Sequence, residues 1–340
     1  MKVVILAGGS GARFWPASTS NTPKQFLKLF SNKTLIRQTF ERFMKKISPE
    51  NIIVVTSEEH VDITKKELPE IPSRNIFGEP FRKNTAPACF TGTLFAEENE
   101  SILVVPADHR IPDSIQFMKY IDLAEKRIEE NQNCIITFGI KPTRPETGYG
   151  YIEAAEEVFE KIYKVSRFHE KPHVEKAEEY LNAGNFFWNS GMFMWKKSFF
   201  MSEMKKFEND IYHQMIKMDI LSKESIHNTY ESLKSISIDY ALMEKSQSIE
   251  TVEAVFEWSD LGSWKSIMEL ESNSSKKSDE IIIDSENVFI RKTSDKPVAV
   301  IGLDNVIIIE NENGILICSE DKTQEVREVT KSLEKTKDNK

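Results

Sequence analysis

Three cysteines in 340 residues, Cys89, Cys134 and Cys318, are few, scattered and odd in number. No CxxC pair occurs, which argues against both a disulfide framework and a zinc knuckle and points to a reducing, cytoplasmic compartment. No apolar run approaches the roughly 18 residues that a membrane-spanning helix needs. The opening MKVVILAGGSGARFWP has too short an apolar run for a signal peptide, and glycines interrupt it at once. No Asp-X-Asp string occurs anywhere, which removes the metal motif of many glycosyltransferases. The chain also has no GxxxxGK[ST] phosphate loop.

The most informative absence is local. Residues 1–40 contain no Asp or Glu; the first acid is Glu41. The whole chain carries 54 acids against 45 Lys plus Arg, for a net charge of −9. By chance such an acid-free stretch would arise about once in a thousand. The overall acidity makes a general nucleic-acid binder a poor reading. The same stretch holds Lys2, Arg13, Lys24, Lys28, Lys33 and Arg37, so this end of the chain favours a small polyanion.

What is present reads as a soluble α/β protein. Lys2–Leu6, Ile52–Thr56, Ile102–Val105 and Cys134–Ile140 are strand-like apolar runs. Residues 34–46 and 114–130 carry helical spacing, so the pattern predicts a mostly parallel, doubly wound sheet. Ligands in such sheets sit beyond the C-terminal strand ends. Tyr149–Ala154 and Lys161–Phe168 read as paired strands projecting from that sheet. A helix is expected over 174–182, a strand over 186–196 broken at Asn189-Ser190-Gly191, and helices over about 197–247. Beyond Lys276 come short β segments with frequent turns, which suit a small β-helix or meander. The stretch SNSSKKS (272–278) marks a domain boundary between 1–271 and 279–330, and the last ten residues read as frayed.

Gly8-Gly9-Ser10-Gly11-Ala12-Arg13 follows the first strand. It fails the dinucleotide fingerprint GxGxxG, because Phe14 stands where the third glycine belongs. A glycine turn with free backbone N–H groups, followed by Arg13 and then Lys24, suits a triphosphate. The alternative is a tight turn whose glycines merely take positive φ.

LAGGSGARFWPASTSNTPKQF resembles the opening motif of the sugar-nucleotide pyrophosphorylases, a nucleotidyltransferase family. GEPFRKNTAPA (78–88), PADH (106–109), FGIKPTRPETGYGYIE (138–153), FHEKP (168–172), WNSGMFMW (188–195), SIDYALME (237–244) and WSDLGSW (258–264) resemble, in order, segments of its mannose-1-phosphate guanylyltransferase members. VAVIGLDNVIIIENENGILIC is similar to their C-terminal part. The resemblance covers most of the chain. It implies a Rossmann-like nucleotidyltransferase fold with a small β-helix-like domain, and transfer of GMP from GTP to mannose 1-phosphate. Many bacterial relatives carry a further phosphomannose isomerase domain, before which this chain ends, so that activity is expected to be absent. The C-terminal β segments resemble parts that mediate dimers in relatives, so a homodimer through them is expected.

That reaction needs cations more than a base. The second pKa of a phosphate monoester is about 6, so the nucleophile is already ionised at neutral pH. An anion must then attack phosphorus inside a polyanion, and catalysis becomes positioning plus charge stabilisation. The resemblance implies Arg13 and Lys24 as phosphate-binding catalytic cations, and Leu6, Ala7, Gly8, Gly9 and Gly11 as nucleotide-binding backbone. Guanine presents N–H donors and needs acceptors, for which Glu79, Asn84 and Thr85 are candidates; the alternative is an ordinary loop with an Asn turn. Lys171 in FHEKP would take the sugar phosphate, with Glu170, Asn189 and Gly148 around the sugar; a surface lysine is the alternative. In the family the carboxylates matching Asp108 and Asp260 hold Mg²⁺. As alternatives, Asp108 is a strand-end turn residue and Asp260 an N-cap for a helix over 262–270. Two carboxylates facing one site would repel, so losing either is expected not to lower stability. His109 reads as structural, and the Trp and Phe residues of 186–195 as core rather than a stacking platform. Rival readings are a relative using another base or hexose and a non-catalytic regulatory subunit. The latter predicts loss of Arg13, Lys24 or one aspartate, and none is missing.

Overall fold

A computed structural model describes residues 1–271 and 279–338. The proposed linker at 272–278 lies outside the described residues. The chain forms two compact units. The first comprises residues 1–8, 36–107 and 111–258; the second comprises 9–35, 108–110 and 259–340.

The first unit is built on one nine-stranded sheet. Its strands are β1 (Lys2–Ala7), β2 (Ile52–Ser57), β3 (Ile76–Glu79), β4 (Ser101–Pro106), β5 (Ile135–Ile140), β6 (Tyr151–Phe159), β7 (Ile162–His169), β8 (Phe186–Lys196) and β9 (Ile249–Ala254). They lie in the order β3-β2-β1-β4-β8-β5-β9-β7-β6, with β6 also pairing β8. Val3–Ile5, Ile52–Val55 and Ile102–Val105 are almost fully buried, as continuous apolar runs in a covered parallel sheet require. β1 pairs β2 and β4 in parallel, and β2 pairs β3 likewise. The expectation of a mostly parallel sheet holds there and for β5–β9. β8, however, runs antiparallel to β4, β5 and β6, so the sheet as a whole is mixed. β6 and β7 do not project from the sheet: β7 pairs β9 and β6 pairs β8 within it. β8 runs as one strand from Phe186 to Lys196, but its pairing with β5 is interrupted where expected: Asn189 faces Gly139 and Phe193 faces Thr137, so Ser190, Gly191 and Met192 stand against Phe138 alone, and Gly191 takes φ 67°.

Helices α1 (Leu35–Phe43), α2 (Val61–Glu67), α3 (Thr85–Leu94), α4 (Ser114–Glu130), α5 (Val174–Ala183), α6 (Lys197–Phe207), α7 (Asn209–Met215) and α8 (Lys223–Ser232) connect the strands. In α3, Ala88, Cys89 and Phe90 share a core with Val4, Ile53 and Val104 of the sheet. A Cβ on Gly92 of α3 would stand 2.4 Å from a Val4 methyl carbon, so the helix rides as close as a glycine allows. A single π turn, Asp239–Met243, precedes β9.

The second unit gathers the glycine turn, the 108–110 segment and everything from Ser259. It contains α9 (Trp264–Glu271), β10 (Glu280–Ile283), β11 (Val288–Lys292), β12 (Val298–Ile301), β13 (Val306–Asn311), β14 (Gly314–Ser319) and α10 (Val326–Asp338). β10 pairs β12 and β11 pairs β13 in parallel, while β14 closes antiparallel on β13. Phe14, Leu29, Leu261, Trp264, Ile307, Ile309 and Val326 form its core. Where a frayed end was expected from 331, α10 continues to Asp338.

Candidate active site

In the second unit, Lys24 reaches the carboxylate of one candidate metal ligand, Asp108, and the backbone carbonyl of the other, Asp260. Gly11 takes φ 65° and opens a short 3-10 turn, Ala12–Phe14. The Gly11 carbonyl accepts from the Phe14 N–H at 2.9 Å and from the Ser18 hydroxyl at 2.6 Å. A Cβ on Gly11 would lie 2.5 Å from both the backbone nitrogen and the Cβ of Lys24, so only glycine fits. Next to Gly9 the same test meets nothing within 4 Å, leaving that backbone open.

Lys24 is only 7% exposed. Its Nζ lies 2.7 Å from Asp108 Oδ2 and donates to the Asp260 carbonyl oxygen at 2.5 Å. The Arg110 N–H donates to the Ser259 carbonyl at 2.9 Å and the Ser259 N–H to the Arg110 carbonyl at 3.1 Å, clamping the segments that carry the two aspartates. The turn between Ser259 and Gly262 is over-determined. Leu261 sits at φ 49° with its side chain fully buried, a conformation costly for a γ-branched residue and sustained by the core around it. Arg13 is exposed, and its Nη1 donates to the Gly262 carbonyl at 2.9 Å. Its remaining donors suit an anion.

Two expectations change here. Asp260 is not the N-cap of a helix over 262–270, because α9 starts at Trp264. The Asp108 carboxylate is the counter-ion of a buried lysine, so its loss is now expected to lower stability. Burial raises the Asp108 pKa, but the Lys24 ammonium and His109 outweigh it and hold the carboxyl below its ordinary value.

Two oxygen-bearing side chains meet the chemistry of Mg²⁺, a hard cation that keeps waters and substrate phosphates as its other ligands. Among the described residues no group of three or more His, Cys, Asp or Glu side chains is placed to hold a metal. Asp108 and Asp260 alone would leave most positions around such a cation to water and substrate oxygens.

The first unit carries the base and sugar candidates. Leu6 and Ala7 end β1, where their carbonyls accept from the Ala107 N–H at 2.9 Å and the Thr56 hydroxyl at 3.0 Å. Glu79 ends β3, 7% exposed, and a Cβ on Gly8 would be 3.4 Å from its Oε2. Burial pushes its carboxyl up to about 8 even though Tyr230 hydrogen-bonds to it, and its Oε1 has no hydrogen-bond partner. Asn84 takes φ 70° and ψ −169°, a region rarely open to residues with a Cβ, and caps α3 by accepting from the Thr85 N–H at 2.8 Å. Thr85 Oγ1 in turn accepts from the Ile238 N–H at 2.8 Å.

Around the sugar candidates, Lys171 takes φ 38° and its Nζ pairs with Glu170 Oε1 at 2.5 Å. Asn189 donates from Nδ2 to Asp239 Oδ1 at 2.9 Å and from its backbone N–H to the Gly150 carbonyl at 2.8 Å. Gly148 is occupied locally, its N–H donating to Glu146 Oε1 at 2.8 Å. Gly150, which sequence reading passed over, comes nearer: a Cβ there would be 3.2 Å from Glu170 Oε2 and 3.7 Å from the Asn189 Cβ. Asp239 was also missed; it lay inside a quoted segment, but nothing in its spacing set it apart from the neighbouring residues. Trp195, at the far end of β8, is core as expected, its Nε1 donating to Thr93.

Residues 2–277 match the nucleotidyl transferase family, and residues 278–333 match a MannoseP isomerase/GMP-like β-helix domain. The chain is 37% identical over 97% of its length to the alginate biosynthesis protein AlgA of Pseudomonas putida, covering 71% of that protein. It is 34% identical, again over 97% of its length, to a mannose-1-phosphate guanylyltransferase of Escherichia coli, covering 73% of it. A crystal structure named mannose-1-phosphate geranyltransferase, from Thermus thermophilus, superposes with a TM-score of 0.85 at 29% identity, covering 98% of this chain and 99% of that one. The chain therefore belongs to the nucleotidyl transferase family, with a β-helix-like domain of the mannose-phosphate type at its C-terminal end.

Proposed function

We propose that this chain is a mannose-1-phosphate guanylyltransferase, transferring GMP from GTP to mannose 1-phosphate with release of pyrophosphate. Relatives of that name at 34% identity support the reading. The single observation that carries the chemistry is Lys24, a buried ammonium joining Asp108 and the Asp260 backbone just beyond an open glycine turn. Arg13 and Lys24 bind and orient the triphosphate, with Gly9 and Gly11 offering backbone N–H groups to it. Asp108 and Asp260 would hold Mg²⁺, which when bound neutralises charge shared by the two reactants. Lys171 takes the sugar phosphate as a point cation, and Glu170 and Asn189 take sugar hydroxyls. Glu79, Asn84 and Thr85 face the guanine edge, where the buried Glu79 supplies the acceptor.

The nucleophilic phosphate oxygen needs no base from the protein. Two unit charges 4 Å apart repel by about 4 kcal/mol at an effective dielectric of 20, so lysine and arginine contribute mainly by cancelling that repulsion. We take 1–271 as the catalytic domain and 279–330 as the β domain. No helix among the described residues is long and apolar enough to cross a membrane; we place the chain in the cytoplasm. Exposed Ile281, Ile283, Ile301 and Leu303 on the β segments support a homodimer through that domain, which light scattering would test. Pyrophosphate release across a grid of nucleoside triphosphates and sugar 1-phosphates tests the activity. Fastest turnover with any pair other than GTP and mannose 1-phosphate would overturn the specificity.

A further inference from the structure

We propose that the β13–β14 hairpin is a positioning element of the triphosphate turn: Asn311 and Asn313 hold the Pro16 carbonyl and Gly314 seats the hairpin on Trp15, so that Arg13 meets the phosphates in one orientation. This rests on the proposed activity and gives the β domain a part in GTP binding. The hairpin turns through Glu312 and Asn313, with Asn311 opposite Gly314. Asn311 Oδ1 accepts from the Asn313 N–H at 2.9 Å, which fixes the end of its amide that faces Pro16. Asn311 Nδ2 donates to the Pro16 carbonyl at 3.0 Å, and Asn313 Nδ2 donates to the same oxygen at 3.2 Å. Both lone pairs of one carbonyl are thus taken by amides 295 and 297 residues further along the chain. A Cβ on Gly314 would stand 2.8 Å from Trp15 Cζ2 and 3.0 Å from Cη2, so the hairpin backbone lies on the indole as closely as a glycine allows.

The segment held in this way joins the glycine turn to Lys24. Its Gly11 carbonyl accepts from Phe14 and Ser18, and its Phe14 carbonyl from the Ser18 N–H at 2.9 Å. The Trp15 carbonyl accepts from Trp264 Nε1 at 3.0 Å, and the Pro16 carbonyl from the two asparagines. The first two bonds are local to the turn; the others come from α9 and the hairpin. Arg13 stands two residues before Trp15, and its Nη1 is bound to Gly262, two residues before α9. The backbone that carries Arg13 therefore takes its direction from C-terminal residues. Folding of the hairpin needs less than this. β13 and β14 already pair from Val306–Ser319 to Asn311–Gly314, and Ile307, Ile309 and Leu316 already share a core with Phe14. Asn313 is exposed at the tip, where substitutions change stability little. Misplacing a binding group by about 1 Å costs up to about 100-fold in rate, so the two amides act on GTP more than on folding.

The test uses the full chain, because removing the β domain would strip the core around Phe14. Wild type and Asn311→Ala/Asn313→Ala are compared in steady state. The KM for GTP should rise about 10- to 100-fold, with the KM for mannose 1-phosphate level. Placed on Arg13→Ala, the same two changes should add little, because the group they orient is gone. Gly314→Ala should likewise raise the KM for GTP, and adding Trp15→Phe, which removes the obstructing ring atoms, should return it to the value of Trp15→Phe alone. A hairpin that only supports the fold lowers Tm and either leaves both KM values alone or raises them together; each result overturns the proposal. So do full additivity with Arg13→Ala and a Gly314→Ala effect that Trp15→Phe leaves in place. If the double variant fails to fold, Asn313→Ala alone must show the same rise confined to GTP and the same dependence on Arg13, or the proposal falls. A wild type inert with GTP and mannose 1-phosphate overturns the proposed function itself. An active wild type whose hairpin variants keep its KM for GTP overturns this inference alone.

Discussion

Replacing Glu79 by glutamine should stabilise the protein at neutral pH and leave it unchanged in acid. The carboxyl titrates near 8 in the folded chain and near 4.5 when unfolded. Because the folded value is raised, its contribution to stability is fully present below pH 4.5 and is lost as pH climbs towards 8. At pH 7 the folded chain holds a proton that the unfolded chain has released across about 2.5 pH units, which at 1.36 kcal/mol per unit is about 3 kcal/mol. Glutamine keeps the shape and never ionises, so calorimetric scans should show a higher Tm for Glu79→Gln at pH 7 to 8 and coincident curves near pH 4.5. The same variant reports on guanine. Between pH 6.5 and 8.5 the wild-type KM for GTP should fall as Glu79 ionises and becomes a full acceptor, whereas the variant should show a flatter profile and poorer discrimination of GTP from ITP. Equal Tm values for the two proteins across the whole pH range would refute the assigned burial. A parallel pH profile for GTP in both would remove Glu79 from base recognition.

Arg13→Ala should leave the melting temperature unaltered, since the side chain is exposed, and lower kcat/KM for GTP by about 10²–10³ in steady-state assays. Lys171→Ala should raise the KM for mannose 1-phosphate while GTP binding without sugar, followed by calorimetry, stays level; equal weakening of both would put this lysine on the wrong phosphate. Asp108→Asn and Asp260→Asn should each nearly abolish turnover, with a strongly non-additive double mutant and partial rescue by raised Mg²⁺. Asp108→Asn should also lower stability above about pH 4, where the wild-type carboxylate pairs with Lys24, and converge with wild type as pH falls through the depressed Asp108 value. Independent, additive losses would make the two aspartates separate structural residues.

Elements whose signal is purely local were legible. β1, β2 and β4 are unbroken apolar runs because both faces of a central strand are covered, and α4 shows its period over 114–130. β3 was missed because its four residues, Ile-Phe-Gly-Glu, include a glycine and an acid, both uncommon in strands. α3 was missed because eight of its ten residues are buried, so it has no polar face and no helical alternation, and Pro87 and Gly92 read as breakers. β6 and β7 were found, but their place in the sheet depends on pairings with β8 and β9 that no local pattern encodes. The site divides in the same way. The acid-free stretch and the glycine turn pointed to Arg13 and Lys24, but that Lys24 reaches both Asp108 and Asp260 is tertiary information. Asp239 bonds to Asn189 and Gly150 lies against Glu170, neighbours remote in sequence.

Each lysine proposed to bind phosphate pairs with a neighbouring carboxylate: Lys24 with Asp108 at 2.7 Å, Lys171 with Glu170 at 2.5 Å. The pairing has a consequence at Lys24, where one carboxylate is claimed both by the ammonium and by the divalent cation. A polyanion that draws Lys24 away leaves Asp108 short of positive charge and so favours the cation, and by reciprocity the cation releases Lys24 to the polyanion. Removing the ammonium should separate these effects. Lys24→Met keeps an unbranched side chain and removes the ammonium, which lies 5.6 Å from the centroid of the Phe14 ring, so Mn²⁺ binding without nucleotide, followed by electron paramagnetic resonance, should tighten. A charged hydrogen bond is worth about 1.5–3 kcal/mol, which corresponds to about 10- to 100-fold in affinity. Triphosphate binding in the same variant should weaken. If Lys24→Met binds Mn²⁺ no better than wild type, Asp108 is not the shared ligand, and the buried pair serves the fold of the glycine turn alone.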